Sequence, residues 1–175
     1  MNRLLLIEDW IDLAISDLKA VSKLSIIENR GAVVFHLQQC TEKILKAIIV
    51  ALGFDPPKTH FPSRKLEEIL VDVELGNLEL DISPGIRTRI ERIINIARSI
   101  EDEVTRPRYG IRHVDRIIHP YDLYSTDIIK LFLNDIKYVL NETLNLFKEL
   151  NICKGRSSIC EKLIEGQSYA PKGAK

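Results

Sequence analysis

The sequence predicts an all-α protein, a single bundle of about five helices with an antiparallel up-and-down core. Three observations predict it. Apolar residues recur at intervals of three and four along most of the chain, the spacing that lines one side of a helix. No stretch alternates convincingly with the two-residue period of a strand. The 175 residues, 45% of them apolar, are enough for one domain with a real core and too few for two comfortable ones.

The first helix runs from about Leu4 to Leu24, with Ile7, Trp10, Ala14, Leu18 and Val21 on one side. Ser25 to Gly31 links it to a second, longer pattern through Val34, Leu37, Thr41, Leu45, Ile48 and Leu52, which stops at Gly53, a helix-terminating residue. Phe35, Cys40, Ile44, Ala47, Ile49 and Val50 add apolar surface on its flanks. A helix apolar nearly all round is central in its fold, and this surplus predicts a homodimer.

The prolines of FDPPKTHFP, Phe54 to Pro62, break any helix, and Ser63 then caps a third one reaching about Val73. Gly76 to Gly85 is a loop, followed by a fourth helix marked by Ile86, Ile90, Ile93, Ile94, Ala97 and Ile100 and ending in the acidic Glu101 to Glu103. Ser125 or Thr126 caps the last core helix, whose stripe runs from Ile129 to Leu150. Residues 1–150 thus form the bundle. The tail, 151–175, has few core-type residues and is expected to hold a short helix near Ser158 to Ile164 and a disordered end.

Lys+Arg and Asp+Glu number 25 each, so no overall field steers the molecule to nucleic acid or an acidic membrane. A local patch has to read any such partner. The longest apolar runs, Leu4 to Ile7 and Ala47 to Leu52, fall far short of the roughly 20 residues that cross a bilayer. With no signal-peptide layout at the N-terminus, the chain reads as soluble, cytoplasmic and free of membrane contact. Cys40, Cys153 and Cys160 fit neither a disulfide framework nor a zinc site and read as reduced thiols. No phosphate-cradling glycine loop, H-E-x-x-H pair or nucleophile elbow is present, and neither cofactor nor metal is expected.

Two clusters carry chemistry. Stepping about 100° per residue puts His36, Gln39, Lys43 and Lys46 in one stripe of the second helix. The stripe either lines a phosphate cleft or is the wet edge of the helix, with Glu42 and Lys46 as an ordinary i,i+4 pair. The second cluster is TRPRYGIRHVDRIIHP, Thr105 to Pro120, where Arg106, Arg108, Arg112 and Arg116 face a single acid, Asp115. Its Pro107, Gly110 and Pro120 make most of it non-helical. Guanidinium forks fit phosphate oxygens, histidine moves protons near neutral pH, and Tyr109, Tyr121 and Tyr124 offer faces to bases. The alternative is that these arginines pair with Glu101, Asp102 and Glu103 and pin the loop to the bundle.

Three blocks in order resemble one family. FHLQQCTEKILKA, Phe35 to Ala47, is similar to the Q-Q-A-x-E-K-x-x-K-A signature of HEPN domains, with Cys40 for the usual alanine. PKTH, Pro57 to His60, and TRPRYG, Thr105 to Gly110, the latter similar to the family's A-R-Y-P with Gly110 in place of proline, follow at suitable distances. The resemblance covers about Leu4 to Leu150. It implies a helical bundle that commonly dimerises, often beside a small nucleotidyltransferase in toxin–antitoxin pairs. It also implies RNA or nucleotide as ligand and, in active members, metal-independent ribonuclease chemistry on an R-x4-6-H motif. That motif fits Arg108 with His113, Arg106 with His113, and Arg112 with His119, the last followed by Tyr121. Arg108 with His113 is the favoured catalytic pair because Arg108 belongs to the Arg-Tyr block. Lys43, Lys46, Gln39, Arg106 and Tyr109 are the expected nucleotide or RNA contacts. The competing expectation is a non-catalytic module that binds a nucleotidyltransferase or a free nucleotide.

Overall fold

The computed structural model describes residues 2–169. Its long helices are α1 (Arg3–Lys23), α2 (Arg30–Ala51), α3 (Pro62–Glu74) and α4 (Pro84–Glu101). The arginine-rich segment follows as a short helix α5 (Arg106–Tyr109), an antiparallel hairpin of β1 (Ile111–His113) and β2 (Arg116–Ile118), and a short helix α6 (Pro120–Leu123). The chain ends in α7 (Thr126–Glu149), α8 (Ile152–Gly155) and α9 (Ser157–Tyr169). Apart from that hairpin, the described residues form an all-α bundle. No helix among them is long and apolar enough to cross a membrane.

Side-chain caps start three of the helices: Asn2 accepts from the Leu4 amide, Ser83 from Ile86 and Ser125 from Ile128. Ser63 does not cap α3. It lies inside the helix, and its amide donates to Glu101 Oε1 at 3.1 Å. Pro62 supplies the first turn, where its missing N–H costs nothing, and a carboxylate from the end of α4 takes the place of a local cap. Burial raises the Glu101 carboxyl above its ordinary range, partly offset by these bonds from Ser63.

α2 is the central helix. Ile44, Leu45, Ala47, Ile48 and Ile49 are all fully buried, enclosed by α1, α3, α4, α5, α6 and α7. The apolar flank that predicted a homodimer is therefore covered within one chain.

The tail is more structured than its composition suggested. α9 reaches Tyr169 and packs on α1 and α7, burying Ile159, Cys160 and Leu163, and bringing Gly166 against Ile15 and Leu140. The expected disordered end lies outside the described residues. Cys153 and Cys160 form a disulfide, which corrects their reading as reduced thiols; Cys40 alone is free, and burial pushes its thiol up. Seven residues of unbroken helix would separate the two by about 10 Å. The extended Arg156, between α8 and α9, turns the chain back and leaves the Cα atoms 5.7 Å apart.

Glu8 of α1 holds α9 in place. Its carboxylate accepts from Ser158 Oγ at 2.7 Å and Lys162 Nζ at 3.0 Å and pairs with Arg156. The bonds from Ser158 and Lys162, outweighing burial, lower its pKa to about 2, and the charges of Lys162 and Arg156 add to this. A carboxyl whose folded pKa lies below its unfolded value of 4.5 stabilises fully above that value and loses the contribution as the pH falls toward 2. Acidification through this window is expected to loosen α9 before the bundle core, as read by hydrogen exchange. In Glu8→Gln the α9 amides should lose protection already at neutral pH and show little further change through the window. Unchanged α9 protection in that variant would remove the anchoring role.

Candidate functional site

The hairpin stands on a clasp. α5 enters it and α6 leaves it, and both pack against the N-terminal part of α2. Gly31 allows this approach, since a Cβ there would lie 2.6 Å from both the Pro107 carbonyl oxygen and Pro120 Cβ. The Tyr124 hydroxyl donates to Glu103 Oε2 at 2.5 Å, and Glu103 Oε1 accepts from Arg106 at 3.2 Å. Arg30 donates to the Tyr124 carbonyl at 3.2 Å. Burial, with Glu103 beside it, pushes the Tyr124 hydroxyl pKa up, so it stays a donor.

Gly110 turns the chain from α5 into β1 with φ +72°, and a Cβ at this position would meet the Ile118 carbonyl oxygen at 2.1 Å. Alanine here is disfavoured both by backbone conformation and by contact. Gly110→Ala is expected to abolish protection of the hairpin amides in hydrogen exchange while α1 and α2 stay protected. A protected hairpin in the variant would contradict this.

The register pairs Ile111 with Ile118, Arg112 with Ile117 and His113 with Arg116, around the turn residues Val114 and Asp115. Strand side chains alternate between faces. Arg112 and Ile117 therefore share one face, and His119, extended at φ −68° and ψ 150°, continues it. His113, Arg116, Ile111 and Ile118 share the other. Arg112 and His119 are diagonal neighbours, about 7 to 8 Å apart and within reach of long side chains. Arg108 and His113 are not brought together in this way. Arg108 stays on the clasp, its guanidinium carbon 5.2 Å from the Phe35 ring centroid and 5.3 Å from that of Tyr109, donating to the Val104 carbonyl. His113 is three residues up the strand, about 10 Å beyond Gly110.

Of the four arginines, Arg106 makes the structural pair, with Glu103. Arg112 and Arg116 have no ion pair or side-chain hydrogen bond among the described residues, nor do His113 and His119, and all four are exposed. Arg116, His119 and Asp122 line an open cleft of about 530 Å³ with Ile117 and Ile118. Arg116 was one arginine among several in the sequence; its place beside His119 comes from the fold.

The stripe on α2 faces α1 rather than a cleft. Lys43 Nζ lies 2.5 Å and His36 Nδ1 2.8 Å from the Asp17 carboxylate of α1. Lys46 pairs with Glu42 at 2.7 Å, its ammonium 5.1 Å from the Trp10 ring centroid, and Gln39 donates to Gln38. Glu42 also accepts from Gln38 at 3.3 Å and lies 2.9 Å from His60 Nδ1, which ties the PKTH loop to the central helix. Among the described residues, no group of three or more His, Cys, Asp and Glu side chains is placed to hold a metal ion.

Comparison with known proteins gives two matches. The family model for the HEPN domain matches residues 7–149. The chain is also similar to a protein of Methanocaldococcus jannaschii named "Putative toxin MJ1304", with 24% identity over 116 residues, covering 66% of this chain and 71% of that protein. No solved structure matches it.

Proposed function

The chain belongs to the HEPN domain family, and from that premise we propose that it binds RNA at the arginine–histidine hairpin and cleaves it without a metal ion. The observation that carries this reading is a contrast in charge. His36, Lys43 and Lys46 of α2 are engaged by carboxylates, whereas Arg112, Arg116, His113 and His119 present unpaired donors to solvent. Phosphate would supply the missing partners.

The register favoured here is Arg112 with His119. His119 takes the proton from a ribose 2′-OH, the 2′-oxygen forms a bond to phosphorus, and the bond from phosphorus to the 5′-oxygen breaks as that oxygen takes a proton from solvent water. Arg112 stabilises the charge that builds on the phosphoryl oxygens. Lys43, Lys46 and Gln39 then support α2 instead of holding phosphate, and Arg106 secures the clasp. The similarity to a protein named as a toxin supports a toxin role; a small nucleotidyltransferase as the partner and a homodimer as the active form are proposed with it from the family resemblance alone. The test is incubation of the purified protein with labelled RNA in excess chelator. Products ending in 2′,3′-cyclic phosphate are expected.

One observation favours the non-catalytic reading: Ile111, Val114 and Ile117 of the hairpin are 38%, 73% and 56% exposed. Apolar side chains left exposed on a projecting element suit a protein partner. A stoichiometric complex with a nucleotidyltransferase, together with no RNA cleavage by the chain alone, would select that reading.

A further inference from the structure

Tyr109 and Tyr121 are 66% and 46% exposed, and each carries a guanidinium on its ring. Arg108 lies between Tyr109 and the half-buried Phe35 of α2, at 5.3 and 5.2 Å from the two ring centroids. Arg30, also on α2, sits 4.3 Å from the Tyr121 centroid. Both arginines are tied to backbone, Arg108 at the Val104 carbonyl and Arg30 at the Tyr124 carbonyl. Each tyrosine is therefore braced from one side by an anchored cation. Neither tyrosine hydroxyl has a hydrogen-bond partner among the described residues, so packing rather than the hydroxyl sets the ring positions.

The two rings flank the base of the hairpin. Tyr109 is the last residue of α5, immediately before the Gly110 turn, and Tyr121 lies in α6, two residues after His119. Extending the ladder past Ile111 and Ile118 sets Gly110 opposite His119, so the Arg112 and His119 pair rises from between the tyrosines.

We propose that Tyr109 and Tyr121 are two stacking platforms, braced by Arg108 and Arg30, that take unpaired bases on either side of the phosphate held at the hairpin. This rests on the reading of the hairpin as an RNA site. Bases inside an A-form duplex are stacked on each other and cannot lie on a protein ring, whereas single strands can splay theirs onto aromatic faces. Stacking tolerates every base, so the preference is for strandedness more than for sequence. Arg30 is a positioning residue: it touches Tyr121, not the RNA.

The test is binding of a labelled 2′-O-methyl oligonucleotide of about eight residues, alone and annealed to its complement, followed by fluorescence anisotropy with the full chain. The modified strand lacks the nucleophile and cannot be cut. The single strand is expected to bind at least about tenfold more tightly than the duplex. Tyr109→Leu and Tyr121→Leu should each weaken single-strand binding by roughly tenfold, while Tyr109→Phe and Tyr121→Phe bind as wild type. Arg30→Gln should mimic part of the Tyr121→Leu loss, with helix content unchanged by circular dichroism. Equal affinity for duplex, or leucine variants that bind normally, would overturn the proposal. Normal oligonucleotide binding with no cleavage of unmodified RNA would sink the ribonuclease reading and leave the platforms standing. Cleavage of RNA with binding insensitive to both leucine changes would do the reverse.

Discussion

His119→Ala is expected to lower RNA cleavage by roughly 10²- to 10⁴-fold, the range over which a positioned proton-transfer group contributes. The side chain lies at the base of the hairpin on the face of Arg112, exposed and without another partner to occupy it. Arg112→Ala should cost on the order of 10²-fold if its guanidinium meets charge that develops on phosphorus. His113→Ala serves as the control, because alternation turns that ring to the opposite face with Arg116. Rates are compared at saturating RNA in chelator, so that weaker binding is not read as slower chemistry. If His113→Ala and Arg108→Ala lost cleavage while His119→Ala kept it, the chemistry would belong to the pair that the sequence favoured and the geometry assigned here would be wrong.

The largest stability effect is expected at Glu42. Its carboxylate is buried and gathers Lys46, His60 and Gln38 from the central helix and the PKTH loop. Burial alone would raise its pKa, yet the bonds from Lys46 and His60 outweigh burial and hold it below the ordinary range. The charged form is therefore the one the fold uses, and its contribution is lost only as the pH falls through that lowered value. Glu42→Ala leaves the buried Lys46 ammonium unpaired, a loss of about 3 to 5 kcal/mol. For a chain of this size that lowers the melting temperature by roughly 10 °C. Lys46→Met in the same chain removes the stranded charge and should restore much of the loss. A melting temperature for Glu42→Ala within about 2 °C of wild type would mean that the pair contributes no more than a surface ion pair.

The long helices were legible because each obeys a local rule. Ile7 to Val21, Val34 to Leu52 and Ile129 to Leu150 repeat at the helical period, and Ser125 caps its own helix. Period and capping act between residues a few positions apart, so they survive translation from sequence to structure. The family signature was legible for a related reason. Gln38, Glu42 and Lys46 lie at four-residue spacing on one helix face, and His60, a further partner of Glu42, comes from the next loop.

What the sequence left open depends on partners distant along the chain. The hairpin strands are three residues each, too short for an alternation to register, and are held by the clasp of Gly31, Tyr124 and Glu103 around α5 and α6. α3 is capped by Glu101, 38 residues away from Ser63. The cations of α2 resembled a phosphate site until Asp17 of α1 closed on them. The sequence by itself determined an all-α HEPN bundle and the presence of an arginine–histidine cluster between its last two core helices. Only the tertiary structure decided which arginine shares a face with which histidine, because a strand turns successive side chains to opposite faces and the pairing register, not the spacing, chooses their neighbours.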